Sequence, residues 1–278
     1  MNQKNKTGIL TVSFGTCHQK TRAATIDAIE AQIAGDYPQA HVYRAWTSHI
    51  IRKKLAQVTG EQIPSVTEAI EHILRDGVTH LFIQPTHVIN GIENDRMKED
   101  VFKYREHFHC ISFGSPLISS TEDMRHVVRT LGDAFCMEPD EALLLMGHGS
   151  EHPSNTVYAA LDYMFKEMGY PRVYVGTVEA YPSLPVILRQ LAGQKISRLH
   201  LAPLMIVAGD HAANDMAGDE EDSWANICKK AGYEVTCHLK GLGEYPQIQQ
   251  LFSQHIEQSI TDAGGNITPA FSSLRHNV

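Results

Sequence analysis

Three side chains in this 278-residue chain have the types and settings of a metal site. His148 stands in Met146-Gly147-His148-Gly149-Ser150, directly after an apolar run that reads as a strand. Glu179 closes a second run, Val175-Gly176-Thr177-Val178, and His211 follows a third in Val207-Ala208-Gly209-Asp210-His211. Imidazole nitrogen with carboxylate oxygen suits borderline divalent metals, and three protein ligands leave positions open for exchange or reaction. Glycines beside His148 let the backbone turn sharply and let a flat substrate approach. Each residue also has a plainer reading: His148 as a turn histidine bonded to backbone, and His211 beside a helix cap formed by Asp210. Glu179 could pair with Arg44, since a lone buried carboxylate is costly.

An internal echo sets these residues in context. Gly8-Ile9-Leu10-Thr11-Val12-Ser13-Phe14-Gly15-Thr16 returns as Ala142-Leu143-Leu144-Leu145-Met146-Gly147-His148-Gly149-Ser150, with Gly15 matching Gly149 at an offset of 134. Pro85, Gly91 and Glu93 match Pro203, Gly209 and His211 at an offset of 118. A middle pairing, Tyr43-Arg44-Ala45-Trp46-Thr47-Ser48 with Val178-Glu179-Ala180-Tyr181-Pro182-Ser183, uses an offset of 135. On this alignment the second half offers His148, Glu179 and His211, and the first offers Phe14, Arg44 and Glu93. Duplication of an α/β unit, with a metal site kept in one copy, accounts for the pattern.

The elements needed to hold such residues alternate along the chain. Strands are expected over 8–14, 41–46, 78–84 and 109–113, with helices over 20–34, 49–58, 65–75, 95–106 and 121–135. The second half repeats the order, with strands over 141–146, 172–178, 197–204 and 233–238 and helices over 155–168, 184–193, 221–231 and 245–260. Such alternation predicts an α/β fold of two similar domains, each a parallel sheet flanked by helices. The expected boundaries are 1–137 and 138–263, with a flexible tail over 264–278. Open parallel sheets bind ligands beyond the carboxyl ends of their strands, where the candidate residues fall.

Composition excludes several function classes. A net charge of −8 argues against wide nucleic-acid contact, which needs concentrated Lys and Arg. No apolar run approaches the roughly 20 residues that span a bilayer. The polar start, Met1 to Thr7, leads straight into a strand, so no secretory leader is expected and the protein reads as cytoplasmic. Five cysteines without CxxC spacing read as reduced thiols. Neither a dinucleotide Gly-x-Gly-x-x-Gly, a phosphate loop nor a Gly-x-Ser-x-Gly elbow is present. No organic cofactor is expected, and a homo-oligomer stays open.

Gly147-His148-Gly149-Ser150, Thr177-Val178-Glu179-Ala180-Tyr181-Pro182 and the loop from Pro203 to Met216 together resemble the sirohydrochlorin cobalt chelatases of anaerobic cobalamin biosynthesis. The resemblance runs from Val12 to about residue 262 and implies the two-domain fold of ATP-independent chelatases, with a tetrapyrrole cleft between domains. It implies that His148, Glu179 and His211 bind the incoming Co2+, the substrate metal, and that Glu93 faces them. The implied reaction inserts Co2+ into sirohydrochlorin, or a precorrin-2-type tetrapyrrole, and releases two protons. His148 or His211 is favoured over Glu93 as the proton acceptor. Arg44 and Arg96, helped by Arg52, Lys53 and Lys54, are the candidates for the ring carboxylates. Phe14, Trp46 and Tyr181 are candidates to cover the ring, or else pack between domains. Two other readings stay in view: insertion of Fe2+ for sirohaem, since Fe2+ or other divalent ions accept the same ligands, and a non-catalytic metal- or tetrapyrrole-binding protein.

Overall fold

The computed structural model describes residues 6–265, 267 and 269, so the expected tail over 264–278 lies largely outside the described residues. Two compact units emerge, one made of residues up to Leu117 plus those from Pro246 onward, the other of Ile118–Tyr245.

The first unit carries β1 (Thr7–Ser13), β2 (His41–Trp46), β3 (His80–Pro85) and β4 (Cys110–Phe113). All pair in parallel in the order β2-β1-β3-β4. The connections supply α1 (Gln19–Ala24), α2 (Ile26–Asp36), α3 (His49–Thr59), α4 (Val66–Arg75) and α5 (Ile92–Phe102), and the chain continues into α6 (Thr121–Ala134). The second unit carries β5 (Glu141–Gly147), α7 (Thr156–Glu167), β6 (Val173–Thr177), α8 (Leu184–Leu191), β7 (Arg198–Pro203), α9 (Trp224–Lys230) and β8 (Glu234–Cys237). Its sheet is also parallel, in the order β6-β5-β7-β8, and α10 (Pro246–Asp262) ends the regular structure. The two sheets therefore share one topology. Each has its first strand inside, flanked by the second and third, which makes the carboxyl end of β1 or β5 a switch point where ligands bind in such folds.

Sequence explains most element ends. Ser65 and Glu68 form a reciprocal capping box at the start of α4, and Ser48 caps α3 by accepting from the Ile51 amide. The single helix expected over 20–34 is instead two, divided at Thr25. There the buried Thr25 hydroxyl donates to the Thr21 carbonyl at 2.6 Å, competing with the helical backbone and bending it.

The units do not follow the expected boundary at 137. Gly132 of α6 has the Tyr170 ring against it, and the Tyr170 hydroxyl donates to Asp133 at 2.6 Å, which ties α6 to the second unit. In exchange α10 packs on α2, with Ser253 bonded to Asp36, and Ser112 of β4 donates to the Ser259 carbonyl at 2.9 Å. Both long-range attachments join residues far apart in sequence, which periodicity alone does not reveal. None of the described helices is long and apolar enough to cross a membrane.

The central strand β5 is buried along its whole length. Leu144 and Met146 pack with Tyr174, Ile187, Leu201 and Trp224 in one core cluster, and that burial fixes the strand whose end carries His148. Leu144→Ala is expected to cost about 2–5 kcal/mol of stability, measured as a lower urea midpoint with an unchanged slope; a midpoint shift near zero would contradict this packing.

Candidate metal centre

The hydrogen-bond ladder of the second sheet continues past its strand ends and sets the candidate ligands side by side. The Val178 amide donates to the Gly147 carbonyl and the Glu179 amide to the His148 carbonyl, each at 3.0 Å. Leu204, following β7, donates to the Met146 carbonyl at 2.8 Å. His148 thus stands on the central strand, with Glu179 on one neighbour and His211 on the connection leaving the other. Gly149 allows the turn: its φ is +90°, and a Cβ there would lie 2.9 Å from both the Cβ and the amide nitrogen of Ala180.

His148, Glu179 and His211 each offer a ligand atom, and all three atoms lie within 4.8 Å of one another. Among the described residues, this is the one group of at least three His, Cys, Asp or Glu side chains so gathered. The imidazoles meet edge to face with centroids 4.6 Å apart. His148 Nδ1 donates to the Gly149 carbonyl at 2.9 Å and lies 3.6 Å from a Glu179 carboxylate oxygen. His211 Nδ1 meets Asp215 Oδ2 at 2.6 Å. With both Nδ1 atoms engaged, each ring keeps Nε2 for an ion. The three side chains are partly exposed, at 44% for His148, 56% for Glu179 and 38% for His211, so an ion can enter and leave. Tyr158 is buried under this turn; burial pushes its hydroxyl up to about 12, against an opposing hydrogen bond from the Gly149 backbone. Sequence patterning did not single out Tyr158, which reads as one more helical core position.

The same ladder corrects the alignment of the two halves. Ser13 pairs with Trp46 as Gly147 pairs with Thr177, so the middle offset is 131 rather than 135. The Ser48 amide donates to the Phe14 carbonyl, just as Glu179 donates to His148. Ser48, the cap of α3, is therefore the counterpart of Glu179, and Arg44 is not. The offset of 118 stands at β3 and β7, where Val12 pairs with Pro85 and Met146 with Pro203. Glu93, in the first turn of α5, matches His211 in that register. The first unit thus has Phe14, Ser48 and Glu93 where the second has His148, Glu179 and His211.

The residues expected at the ring behave differently from one another. Arg44 lies within β2, where its guanidinium is bonded to Asp27 and Glu30 of α2, so its charge is already matched. Trp46 is fully buried and packs under the Arg22 guanidinium, which lies 5.7 Å from the ring centroid, so it is core and offers no face to a substrate. Phe14 and Tyr181, in contrast, are 48% and 64% exposed. Arg96 is exposed and pairs with Glu93 at 3.2 Å, a surface contact that exchanges easily. Arg52 is held by Glu68 at 2.8 Å.

Comparison with known proteins adds the family. A family model described as cobalt chelatase (CbiK) matches residues 7–261. The chain is 36% identical over 259 residues to the sirohydrochlorin cobaltochelatase of Salmonella typhimurium, spanning 93% of this chain and 98% of that protein. It is 29% identical over 260 residues to the sirohydrochlorin cobaltochelatase CbiKC of Nitratidesulfovibrio vulgaris, spanning 92% and 91%. The fold is similar to that of SirB from Bacillus subtilis with Fe3+, at a TM-score of 0.65 and 16% identity, covering 95% of this chain and 99% of the other.

One more histidine stands near Glu93. His87 follows β3 and has both ring nitrogens buried without a partner. Burial pushes its pKa down to about 4, with Glu93 pulling weakly the other way. In the unfolded chain the same ring titrates near ~6.5. The unfolded state therefore binds the extra proton between these values, and stability held above ~6.5 is lost as pH falls toward 4. In urea unfolding at pH 7 and pH 4.5, His87→Leu should lose less stability on acidification than the parent, by about 2 kcal/mol. Equal losses would show that His87 is not held neutral.

Proposed function

The chain belongs to the cobalt chelatase family, and on that premise we propose that it inserts Co2+ into sirohydrochlorin, releasing two pyrrolic protons. The observation that carries the reading is the gathering of His148, Glu179 and His211 ligand atoms within 4.8 Å on one sheet. Two neutral imidazoles and a carboxylate match a borderline divalent ion and offset part of its charge. Three ligands are enough to strip water from the ion while leaving positions for the incoming ring nitrogens. The identity of this chain to enzymes named for the same reaction supports the choice of tetrapyrrole and metal.

In this reading the metal is a substrate, held long enough to be transferred. As pyrrole nitrogens take over coordination, the imidazoles of His148 and His211 are released, and a free imidazole near neutrality is a competent proton acceptor. Insertion exchanges one Co2+ for two protons, so charge on the ring is conserved. Glu93 is the further acid/base candidate, placed in the first turn of α5. Phe14 and Tyr181 are the exposed aromatics on offer to the ring, and Arg96 the cation for its carboxylates. The setting assigned is a cytoplasmic enzyme that takes a free tetrapyrrole and a free divalent ion.

An anaerobic absorbance assay with sirohydrochlorin tests the reading. The protein is expected to convert the free ring to its Co2+ form, with Fe2+ as the competing substrate. His148→Ala and His211→Ala should each slow insertion by more than the roughly 10–100-fold that loss of an outer metal partner costs. Undiminished insertion by both variants would remove these histidines from the reaction. Retention of metal and ring together without a metallated product would mark a binding protein instead.

A further inference from the structure

The connection after β7 differs from its counterpart after β3 by one residue, and that residue touches the metal centre. In the first unit the chain leaves Gly91 as an α-helix, with the Asp95 amide donating to the Gly91 carbonyl at 3.1 Å. In the second unit the Ala213 amide donates to the Gly209 carbonyl at 2.9 Å, the same bond at the offset of 118. Burial follows suit at first: Glu93 and His211 are half-buried, Asn94 and Ala212 buried, and the next two residues exposed in both. Then the registers part. Met97 is buried directly after Arg96, whereas Met216, equally buried, comes only after an additional half-buried residue, Asp215. The methionines are offset by 119, so one residue has been inserted, and its place in the burial pattern is that of Asp215.

The insertion is absorbed by widening the turn. His211–Met216 forms a π-helix, in which the Ala217 amide reaches back to the Ala212 carbonyl at 3.2 Å. Single π-turns inside helices mark functional sites often enough to ask what this one does. Gly218 lets the wide turn close, since a Cβ there would lie 2.3 Å from the Asn214 carbonyl oxygen. More residues per turn than the α-helical 3.6 bring i and i+4 closer to one line. Here those positions are His211 and Asp215, joined from Nδ1 to Oδ2 at 2.6 Å. In the first unit the residue after Arg96 is a core methionine, and no carboxylate takes this place.

We propose that Asp215 is a positioning residue for metal capture: it holds the His211 imidazole with Nδ1 protonated and Nε2 aimed at the ion, and the π-turn exists to put it there. The proposal rests on the reading of His148, Glu179 and His211 as the metal site. A carboxylate on the far nitrogen fixes the tautomer of a ligating histidine, limits ring rotation and raises the basicity of the nitrogen that binds. Asp215 does this without occupying a coordination position, which leaves the site open for the ring.

Titration of the metal-free full-length chain with Co2+, followed by calorimetry, tests the proposal. Asp215→Ala should weaken Co2+ binding by about 10–100-fold. Asp215→Asn should weaken it less, because its amide oxygen still accepts the Nδ1 proton, and circular dichroism reports whether either variant has lost the fold. The deciding comparison is the double variant. If Asp215 acts through His211, removing it in a His211→Ala background changes the remaining affinity little. An additive further loss would overturn the proposal, because Asp215 would then act on the ion itself or on the fold at large; an Asp215→Ala variant with parental affinity would overturn it too. His148→Ala keeps the two readings apart. Unchanged Co2+ affinity in His148→Ala would reject the metal site and the proposal together, whereas a loss there with none in Asp215→Ala would reject the proposal alone.

Discussion

Neighbouring parallel strands sit about 4.7–4.9 Å apart, and everything at the candidate centre depends on that spacing. Side chains at the ends of two adjacent strands, joined by one from the connection that leaves the third, can reach a single coordination sphere. Here β6, β5 and β7 are adjacent in that order, and the ladder extends beyond them through Glu179 to His148. His211 is brought up to this pair by the π-turn that follows β7, and the three ligand atoms lie within 4.8 Å of each other. Placing the middle ligand on the innermost of the three strands also gives it the best-buried support, since β5 has no exposed residue. A core substitution there moves His148, and a slip of the ladder separates it from Glu179.

The same scaffold without the ligands is present in the first unit. β2, β1 and β3 repeat the order, and their ends carry Ser48, Phe14 and Glu93. One of these can ligate a metal, so the first unit has the frame and lacks the chemistry. What remains there is an exposed aromatic, a helix cap and a carboxylate in a first helical turn. That division fits a reaction in which one surface holds an ion and other groups handle a ring and its protons. Asp215 belongs to the same contrast: the inserted residue is bonded to His211 and has no counterpart beside Glu93.

Much of this was legible in the sequence, for reasons that can be named. The alternation of apolar runs with helical stretches gave both sheets, because strands buried on two faces must be apolar throughout. His148 and His211 stood out because their counterparts, Phe14 and Glu93, are chemically different at positions where backbone glycines agree. The middle pairing went astray by four residues. Its short match rested on an alanine, an aromatic and a serine, whereas register is fixed by ladder bonds that leave no mark in side-chain type. Arg44 suffered from that error and from a second one: its partners Asp27 and Glu30 lie on α2, on the preceding connection, and pairing across a crossover cannot be read from spacing. Trp46 has the composition of a ring-stacking residue and the burial of a core one, and only packing separates the two. The π-turn was hidden because six residues are too few to show a period, so the loop after β7 read as irregular.

The most direct test of the account is the coordination shell of Co2+ bound to the protein alone, measured by X-ray absorption. The account predicts two imidazole nitrogens and carboxylate oxygen from His148, Glu179 and His211, completed by exchangeable water. It also predicts that one imidazole disappears from the signal in His211→Ala. A shell of oxygens without imidazole, or one containing thiolate sulfur, would contradict it.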